Sequence, residues 1–500
     1  MKIIAHQPEL RPALPFICAC QDYHQQRDLL VRIDEILTTS GLETEFVALS
    51  MKQRGFDPDA HTAKEIDKFN RTSILALRSN IARHLLRAEH REFCVRVAES
   101  HLLQWFLLIG RVDGVKAFAK STSDRFAHWL DEPNLQIINT RLTALLAGTG
   151  GVSPIDLGLK KQIDFSDIFF DSTCLKAPIH FPIDWVLLRD IVRTLMKATV
   201  LIRKAGLRQR MPQEPLAFLS EMNTLCMKMT AKFRTQEGRK HRKTVLREMK
   251  QLTRRIGRHA RRHLDILEKR AGETGLGEGH VRQIKERIEG VLEQLPAAIK
   301  QAHERIIGGR KLPNKDKILS LYDPDVEVIV RGKSNAEVEF GNKLWLGETR
   351  EGLIVDYQLE KEQRSDTRHV GPAIERLCIE QQLPVKSAWG DRGLHSKANE
   401  ILLKEHGIRS GLCPRDVGEL AERLKNEPGM KEGLKRRAGT EARVSILVRE
   451  FMGKPARAKG FTHRSMLTGW AVLSHNLWVL ARLERAAVPE KVAERMREAA

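Results

Sequence analysis

Hydrophobic periodicity changes along this chain, and the changes limit what it can fold into. From 184 to about 307 turn signals are sparse and apolar residues keep helical spacing, with Trp185, Leu188, Ile191 and Leu195 on one face. From 320 the period becomes two. Val326, Val328 and Val330 alternate with Glu327 and Ile329, and residues 338–346 and 353–359 flank a turn at 348–352, which predicts a hairpin. A helix at 370–379, a strand at 385–389, a helix at 396–405 ended by Gly407 and a strand at 408–413 follow. A hairpin followed by βαβ units predicts a mixed sheet. Helices are expected again at 431–452 and 469–485. Upstream, Ile168-Phe169-Phe170-Asp171 reads as a buried strand whose end carries a carboxylate.

Residues 1–150 read as helical, with Ile74, Leu77, Ile81 and Leu85 in register and Leu102, Leu103, Phe106 and Leu107 again. Residues 110–113 break the pattern, and the polar run 121–124 is expected to cap the next helix. Arg83, Arg87 and Arg91 recur every four residues, as on one helix face. Such a face suits a DNA-reading domain, and equally the solvated side of an ordinary bundle. The loop at 148–157 (Gly148 through Leu157) marks a domain boundary.

The 500 residues carry 85 Lys plus Arg against 64 Asp plus Glu, a net charge of +21. That length suits about three domains, and that charge points to an anionic partner, with nucleic acid the first candidate. The longest apolar stretch, 102–110, is interrupted by Gln104 and is too short to span a bilayer. His6, Pro8, Glu9 and Arg11 interrupt any signal-peptide core. The expectation is a cytoplasmic protein with no membrane contact. Seven scattered cysteines form no framework and fit a reducing compartment. Cys18, Cys20 and His24 lack a second pair at zinc spacing.

The densest charge lies at 228–262. Arg239, Lys240, Arg242, Lys243, Arg254, Arg255, Arg258, Arg261 and Arg262 belong to it, with only Glu237 and Glu248 opposing before Asp265. One-signed charge over several helical turns repels itself unless an anion neutralises it, so these residues are expected to contact DNA phosphates. His259 and His263, one turn apart, are expected to contact phosphate or face solvent.

Three acids stand out. Asp171 ends the first strand. Asp391 follows the strand 385–389 within Gly390-Asp391-Arg392-Gly393, where glycines let backbone approach a ligand. Glu441 counts back from Val444 and Val448 onto the apolar side of its helix, where a carboxylate is costly unless paired with a cation. Arg437, one turn away, is one such partner and a divalent metal another. Singly, each acid reads as readily as a turn, cap or helix-pair carboxylate. Jointly they suit two Mg²⁺ or Mn²⁺ ions, which take carboxylate oxygens and drive in-line phosphoryl displacement.

These blocks carry a family resemblance. Asp171-Ser172-Thr173-Cys174 runs on to Ile179-His180-Phe181-Pro182-Ile183-Asp184. Leu321-Tyr322-Asp323-Pro324, Val330-Arg331-Gly332-Lys333 and Glu337-Val338-Glu339-Phe340-Gly341 follow, then Asp391-Arg392-Gly393, Arg437-Ala438-Gly439-Thr440-Glu441 and Asn476-Leu477. In order and spacing the chain resembles bacterial insertion-sequence DDE transposases, most closely the ISNCY group, from about 165 to 480.

The resemblance implies an α/β RNase H-like catalytic core, a mixed sheet with flanking helices, at 160–183 and 319–485. It implies a basic all-α insertion at 184–318 interrupting that core, and a helical DNA-binding N-terminal domain at 1–150. It implies that Asp171, Asp391 and Glu441 bind the two ions. Lys333, Arg392, Arg437 and Arg449 are then expected to contact DNA near the site. The family's Tyr, Arg, Glu, Lys signature is kept only at Arg437 and Glu441: Leu434 stands at the tyrosine position, and Arg449 lies one residue past the lysine position. Asp184 is either a further acid of the first block or a helix cap.

The expected function is Mg²⁺-dependent cleavage and strand transfer at terminal inverted repeats of double-stranded DNA, by a homodimer or larger assembly. The alternatives are an RNase H-like nuclease that does not join, and a basic DNA-binding protein that does not cut. Covalent recombination would need Tyr23, Tyr322 or Tyr357, the only tyrosines, and none has an Arg and His cluster to activate a phenol.

Overall fold

A computed structural model describes residues 14, 17–18, 20–110, 114–230, 235–333, 336–362 and 364–486, without the side chains of 331–337. The described residues are mostly helical and form one mixed sheet of six strands. It divides into two compact units, residues 1–177 with 342–500, and residues 178–341.

The strands are β1 (Asp167–Lys176), β2 (Glu327–Lys333), β3 (Ala336–Glu348), β4 (Ile354–Leu359), β5 (Ser387–Gly390) and β6 (Arg409–Leu412). The sheet order is β2-β3-β1-β5-β6, with β4 also paired to β3. The expected hairpin is present, since β4 runs antiparallel to β3. β1, β5 and β6 are parallel neighbours. β3 belongs to both units: its first residues pair with β2 in the second unit, and 344–348 pair with β4 in the first.

In the first unit, seven α-helices precede β1 among the described residues. They are α1 (Gln21–Ser40), α2 (Leu42–Arg54), α3 (Ala63–Leu85), α4 (His90–Glu99), α5 (His101–Phe106), α6 (Lys120–Ala127) and α7 (Glu132–Ala147). Residues 1–150 lie in the same unit as β1, β4, β5 and β6. Their core (Phe46, Leu77, Ile81, Phe106) is shared with Trp470, Leu473 and Leu477 of the last helix. The arginine stripe does not form. α3 ends at Leu85, Arg87 takes φ +56, and Arg91 belongs to α4. Arg83 is buried beside His84 instead of facing solvent. The expected cap at 121–124 is absent too: α6 begins at Lys120 after Ala119, with no side-chain cap.

The second unit contains α8 (Asp184–Lys204), α9 (Pro215–Thr230), α10 (Gln236–Arg270) and α11 (Glu278–Ala302). α10 is capped by Thr235, whose hydroxyl accepts from Gly238 N at 3.2 Å. Its buried stripe, Val245, Leu246, Met249, Leu252, Ile256, Ala260, Leu264 and Leu267, follows the i, i+3, i+4 rule and packs on α8, α9 and α11. His263 is fully buried in this stripe, against the expectation of a solvent or phosphate contact. Its Nδ1 lies 2.8 Å from His259 O, and burial lowers its pKa.

In the first unit the sheet continues through α12 (Val370–Ile374), α13 (Lys397–Glu405), α14 (Val417–Asn426), α15 (Met430–Ile446) and α16 (Phe461–Arg482). Ile168, Phe170 and Ala388 pack with α12 and α13 residues in one core. Phe169 and Trp389 point the other way and pack with Met430 and Leu434 of α15. The period-two alternation of β1 and β5 thus buries both faces. Among the described residues, no helix is long and apolar enough to cross a membrane.

Candidate catalytic site

The parallel register of β1 and β5 brings the first two acids together. Asp167 pairs with Ser387 and Phe169 with Trp389. Two residues further, Asp171 and Asp391 stand level on the same face, since side chains repeat every second residue and parallel strands lie about 4.8 Å apart. Phe169 and Trp389 stack beneath them, 6.1 Å between centroids and 15° between planes.

Two glycines hold α15 against this face. A Cβ on Gly433 would lie 2.0 Å from the Trp389 ring, and one on Gly411 would lie 2.2 Å from it. The indole therefore fits between β6 and α15 only because both residues lack side chains. The indole N–H donates to Asp167 Oδ1 at 3.2 Å. So fixed, α15 presents Arg437 and Glu441.

The Arg437 guanidinium is where the acids meet. Its Nη2 lies 3.6 Å from Asp171 Oδ1 and 3.8 Å from Asp391 Oδ2, and its Nη1 lies 3.8 Å from Glu441 Oε1. Arg437 Nε is buried and makes no hydrogen bond. Asp171 Oδ1 also accepts from Ser172 N at 2.8 Å, and Asp391 Oδ1 from Gly393 N at 2.9 Å. Burial raises the Asp171 carboxyl to about 6; Arg437 pulls it down, while Asp391 and Glu441 push it up. Asp171 is the enclosed member at 12 % side-chain exposure, against 45 % for Asp391 and 61 % for Glu441. The expectation that Glu441 points into the apolar face is corrected: Thr440, Val444 and Leu447 fill that face and leave Glu441 at its rim.

Hard oxygen donors on three elements suit a divalent cation by type. As the side chains lie, no group of three His, Cys, Asp or Glu among the described residues is close enough to hold one ion. The single guanidinium stands among the acids instead. Cys18, Cys20 and His24 form no metal group either, and His24 Nε2 lies 2.8 Å from Ile17 O.

The other expected contacts are dispersed. Arg392 is exposed beside Asp391, and its carbonyl accepts from Arg415 Nε at 3.1 Å. Arg449 is exposed on a π-helical turn after α15. Lys333 closes β2, and its side chain lies outside the described residues. On α10, Arg239, Lys240, Arg254, Arg258, Arg261 and Arg262 are exposed. Arg242 lies over the Trp185 ring, beside the half-buried Lys243. Arg255 lies over Phe218 and 3.3 Å from Glu221, so its charge is partly spent within the unit. Asp184 is not a cap. It is buried and accepts from Gln301 Nε2 at 3.0 Å and Arg305 Nη1 at 2.8 Å.

Two acids escaped the sequence reading. Asp366 accepts from Ser172 Oγ at 3.0 Å and from Lys343 Nζ at 2.8 Å. A Cβ on Gly393 would meet Asp391 Oδ1 at 3.0 Å and Asp366 Oδ2 at 3.6 Å, so both acids flank that glycine. Glu348, buried at the end of β3, lies 3.0 Å from Arg436 Nη1 and 3.4 Å from Arg443 Nη1. Burial raises its carboxyl to about 7 against the pull of Arg443 and Thr440. Arg436, Thr440 and Arg443 all belong to α15, so Glu348 fixes the helix that carries Glu441. Asp366 sits in no patterned segment, and Glu348 reads in the sequence as a residue of the hairpin turn.

No protein-family model matches this chain, and neither a curated protein nor a solved structure matches it.

Proposed function

We propose that this chain is a metal-dependent DNA strand transferase of the DDE transposase type, acting on the ends of its own element. The observation that carries the reading is the meeting of Asp171, Asp391 and Glu441 round one guanidinium, from positions 220 and 50 residues apart in sequence. The order and spacing of the sequence blocks and the cationic face of α10 add to it.

Asp171, Asp391 and Glu441 would hold Mg²⁺ or Mn²⁺, whose chemistry is to lower the pKa of a nucleophile and to stabilise a leaving oxygen. The chain's own residues do the rest. Gly433, Gly411 and Trp389 set the height of α15 over the strand ends, and Ser172 N and Gly393 N orient the two aspartates. Arg392, exposed next to Asp391, would hold a DNA phosphate. The sequential cutting and joining of two ends calls for two or more copies of the chain.

The test is Asp391→Asn in purified protein, with nicking of end DNA in Mg²⁺ as readout. A loss of about three orders of magnitude or more is expected, on the scale of the several kcal/mol a metal supplies. Nicking at the wild-type rate would overturn the site. A pre-cut end supplied to the wild-type chain separates transferase from nuclease: joined product is expected, and its absence with nicking intact would leave only hydrolysis.

A further inference from the structure

The helical unit carries a second feature, distant in character from the carboxylates. A cavity of about 840 Å³ is lined by the start of α8, the first turns of α10 and the segment 305–317. Its size lies within the roughly 300–1,000 Å³ usual for small-molecule sites.

Its wall is cationic. Arg239, Arg242 and Lys243 line it from α10, and Arg305, Arg310, Lys311 and Lys317 from the segment after α11. Asp184 is the one acid in the lining, and it already accepts from Arg305 and Gln301. Arg310 is paired with Glu304 at 2.9 Å. Arg239, Arg242, Lys243 and Lys311 have no carboxylate partner among the described residues. Like charges gathered round a cavity repel, and Asp184 and Glu304 offset only Arg305 and Arg310.

The hydrogen-bond pattern points the same way. Trp185 Nε1 and Arg242 Nε are both buried and make no hydrogen bond. The two side chains touch, the Arg242 guanidinium lying 4.9 Å from the Trp185 ring centroid. A buried donor left unpaired costs about 1–3 kcal/mol. Both donors stay unpaired on side chains that line the cavity, and the surrounding charge calls for an anion.

The shape narrows the anion. Duplex DNA is read by convex elements that enter its grooves. A cavity takes a group that projects. We propose that this cavity binds a terminal phosphate, carried either by a phosphorylated strand end or by a free nucleotide. None of Asp171, Asp391 and Glu441 lines it, so the proposal stands apart from the catalytic reading.

The experiment uses the full chain in EDTA and labelled single strands of one sequence, with a 5′-phosphate, a 3′-phosphate or hydroxyls at both ends. Fluorescence anisotropy is expected to show one phosphorylated form binding about tenfold tighter than the hydroxyl strand, the worth of one charge-assisted hydrogen bond. Arg239→Gln with Lys243→Gln is expected to abolish that ratio. Arg261→Gln with Arg262→Gln, the same charge loss elsewhere on α10, is expected to keep it. Pyrophosphate and ADP are added as competitors. Displacement by them identifies a free nucleotide as occupant, and preference without displacement identifies a strand end. Equal binding of all three strands by the wild-type chain, with no binding of pyrophosphate by calorimetry, would overturn the site whatever the variants do.

Discussion

The two units manage charge in opposite ways. The first gathers carboxylates on one sheet end, encloses Asp171 and sets a single guanidinium among three acids. The second spreads cations over the exposed side of α10 and round a cavity with one acid in its lining. In the first, strand register decides which charges meet. In the second, local helical spacing does, because the stripe that packs on α8, α9 and α11 leaves every other turn position to solvent. The difference teaches where each kind of site is fragile. A site built by register depends on backbone packing, and a site built by helix periodicity depends on charge count.

The largest expected effect follows from that count. Arg254, Arg258, Arg261 and Arg262 are exposed and lie on successive turns of α10. Replacing all four with Gln should lower duplex affinity by about 10³ near 0.1 M salt and reduce the slope of log K against log salt by roughly 3–4. A salt titration of Kd checks both figures. Asp391→Asn should leave that slope unchanged, and a shared loss would erase the division of labour between the units.

Acid should strain the first unit through buried imidazoles. His475 is held down to about 4 by burial, with Arg443 acting in the same direction and Asn476 against it. It packs edge-on to Phe451 and beside Trp478. The unfolded chain takes up its proton near pH 6.5 and the folded chain only near 4. The stability tied to this residue is therefore full above about 6.5 and is lost as pH falls toward 4, a change on the order of 3 kcal/mol. His475→Phe keeps an aromatic ring there and should narrow the gap in urea midpoint between pH 7 and pH 4.5. His84 and His90 shift in the same direction and will retain part of the gap.

Matched glycine substitutions compare the packing of the units. Gly433→Ala sets a methyl 2.0 Å from the rigid Trp389 ring, whereas Gly257→Ala in α10 meets a flexible Leu295 methyl at 2.9 Å. Alanine gains about 1 kcal/mol in helix propensity at either place. Overpacking costs about 1–3 kcal/mol where the neighbour cannot give. Gly433→Ala should therefore lower the melting temperature and cut nicking more than tenfold by lifting Arg437 and Glu441. Gly257→Ala should stay within about 1 kcal/mol of wild type. Equal effects would show that α15 is not seated by the indole.

These contrasts also explain what the sequence made legible. Period-two alternation located β2 and the β3–β4 hairpin, and the aromatic run marked β1. The pairing Phe169↔Trp389 puts Asp171 beside Asp391, a fact that needs the register of the two strands as well as their parallel sense. Periodicity failed where a break carries no Gly or Pro. Leu86 and Arg87 end α3 by backbone angle alone, and Arg83 is buried with Glu89 and Asp124 acting on it from other segments. It failed for Asp366 and Glu348, whose partners lie on different strands and helices. The cavity was illegible for the same reason, since most of its wall lies in residues 305–317, beyond α11.

The subtlest test concerns Arg437. Its guanidinium stands 3.6–3.8 Å from three carboxylates, close enough to attract and too far to make short paired bonds. It thus supplies the positive charge that keeps Asp171 from rising further above its ordinary range. Removing it leaves partly buried carboxylates facing each other, which costs stability until a cation enters. Arg437→Gln should melt a few degrees below wild type in EDTA, on the scale of about 1 kcal/mol. Mn²⁺ should then raise the variant's melting temperature more than the wild type's, because no resident cation competes for the acids. An equal Mn²⁺ shift in both proteins would mean that Arg437 and the metal use separate space. The acids would then close round an ion without displacing the guanidinium.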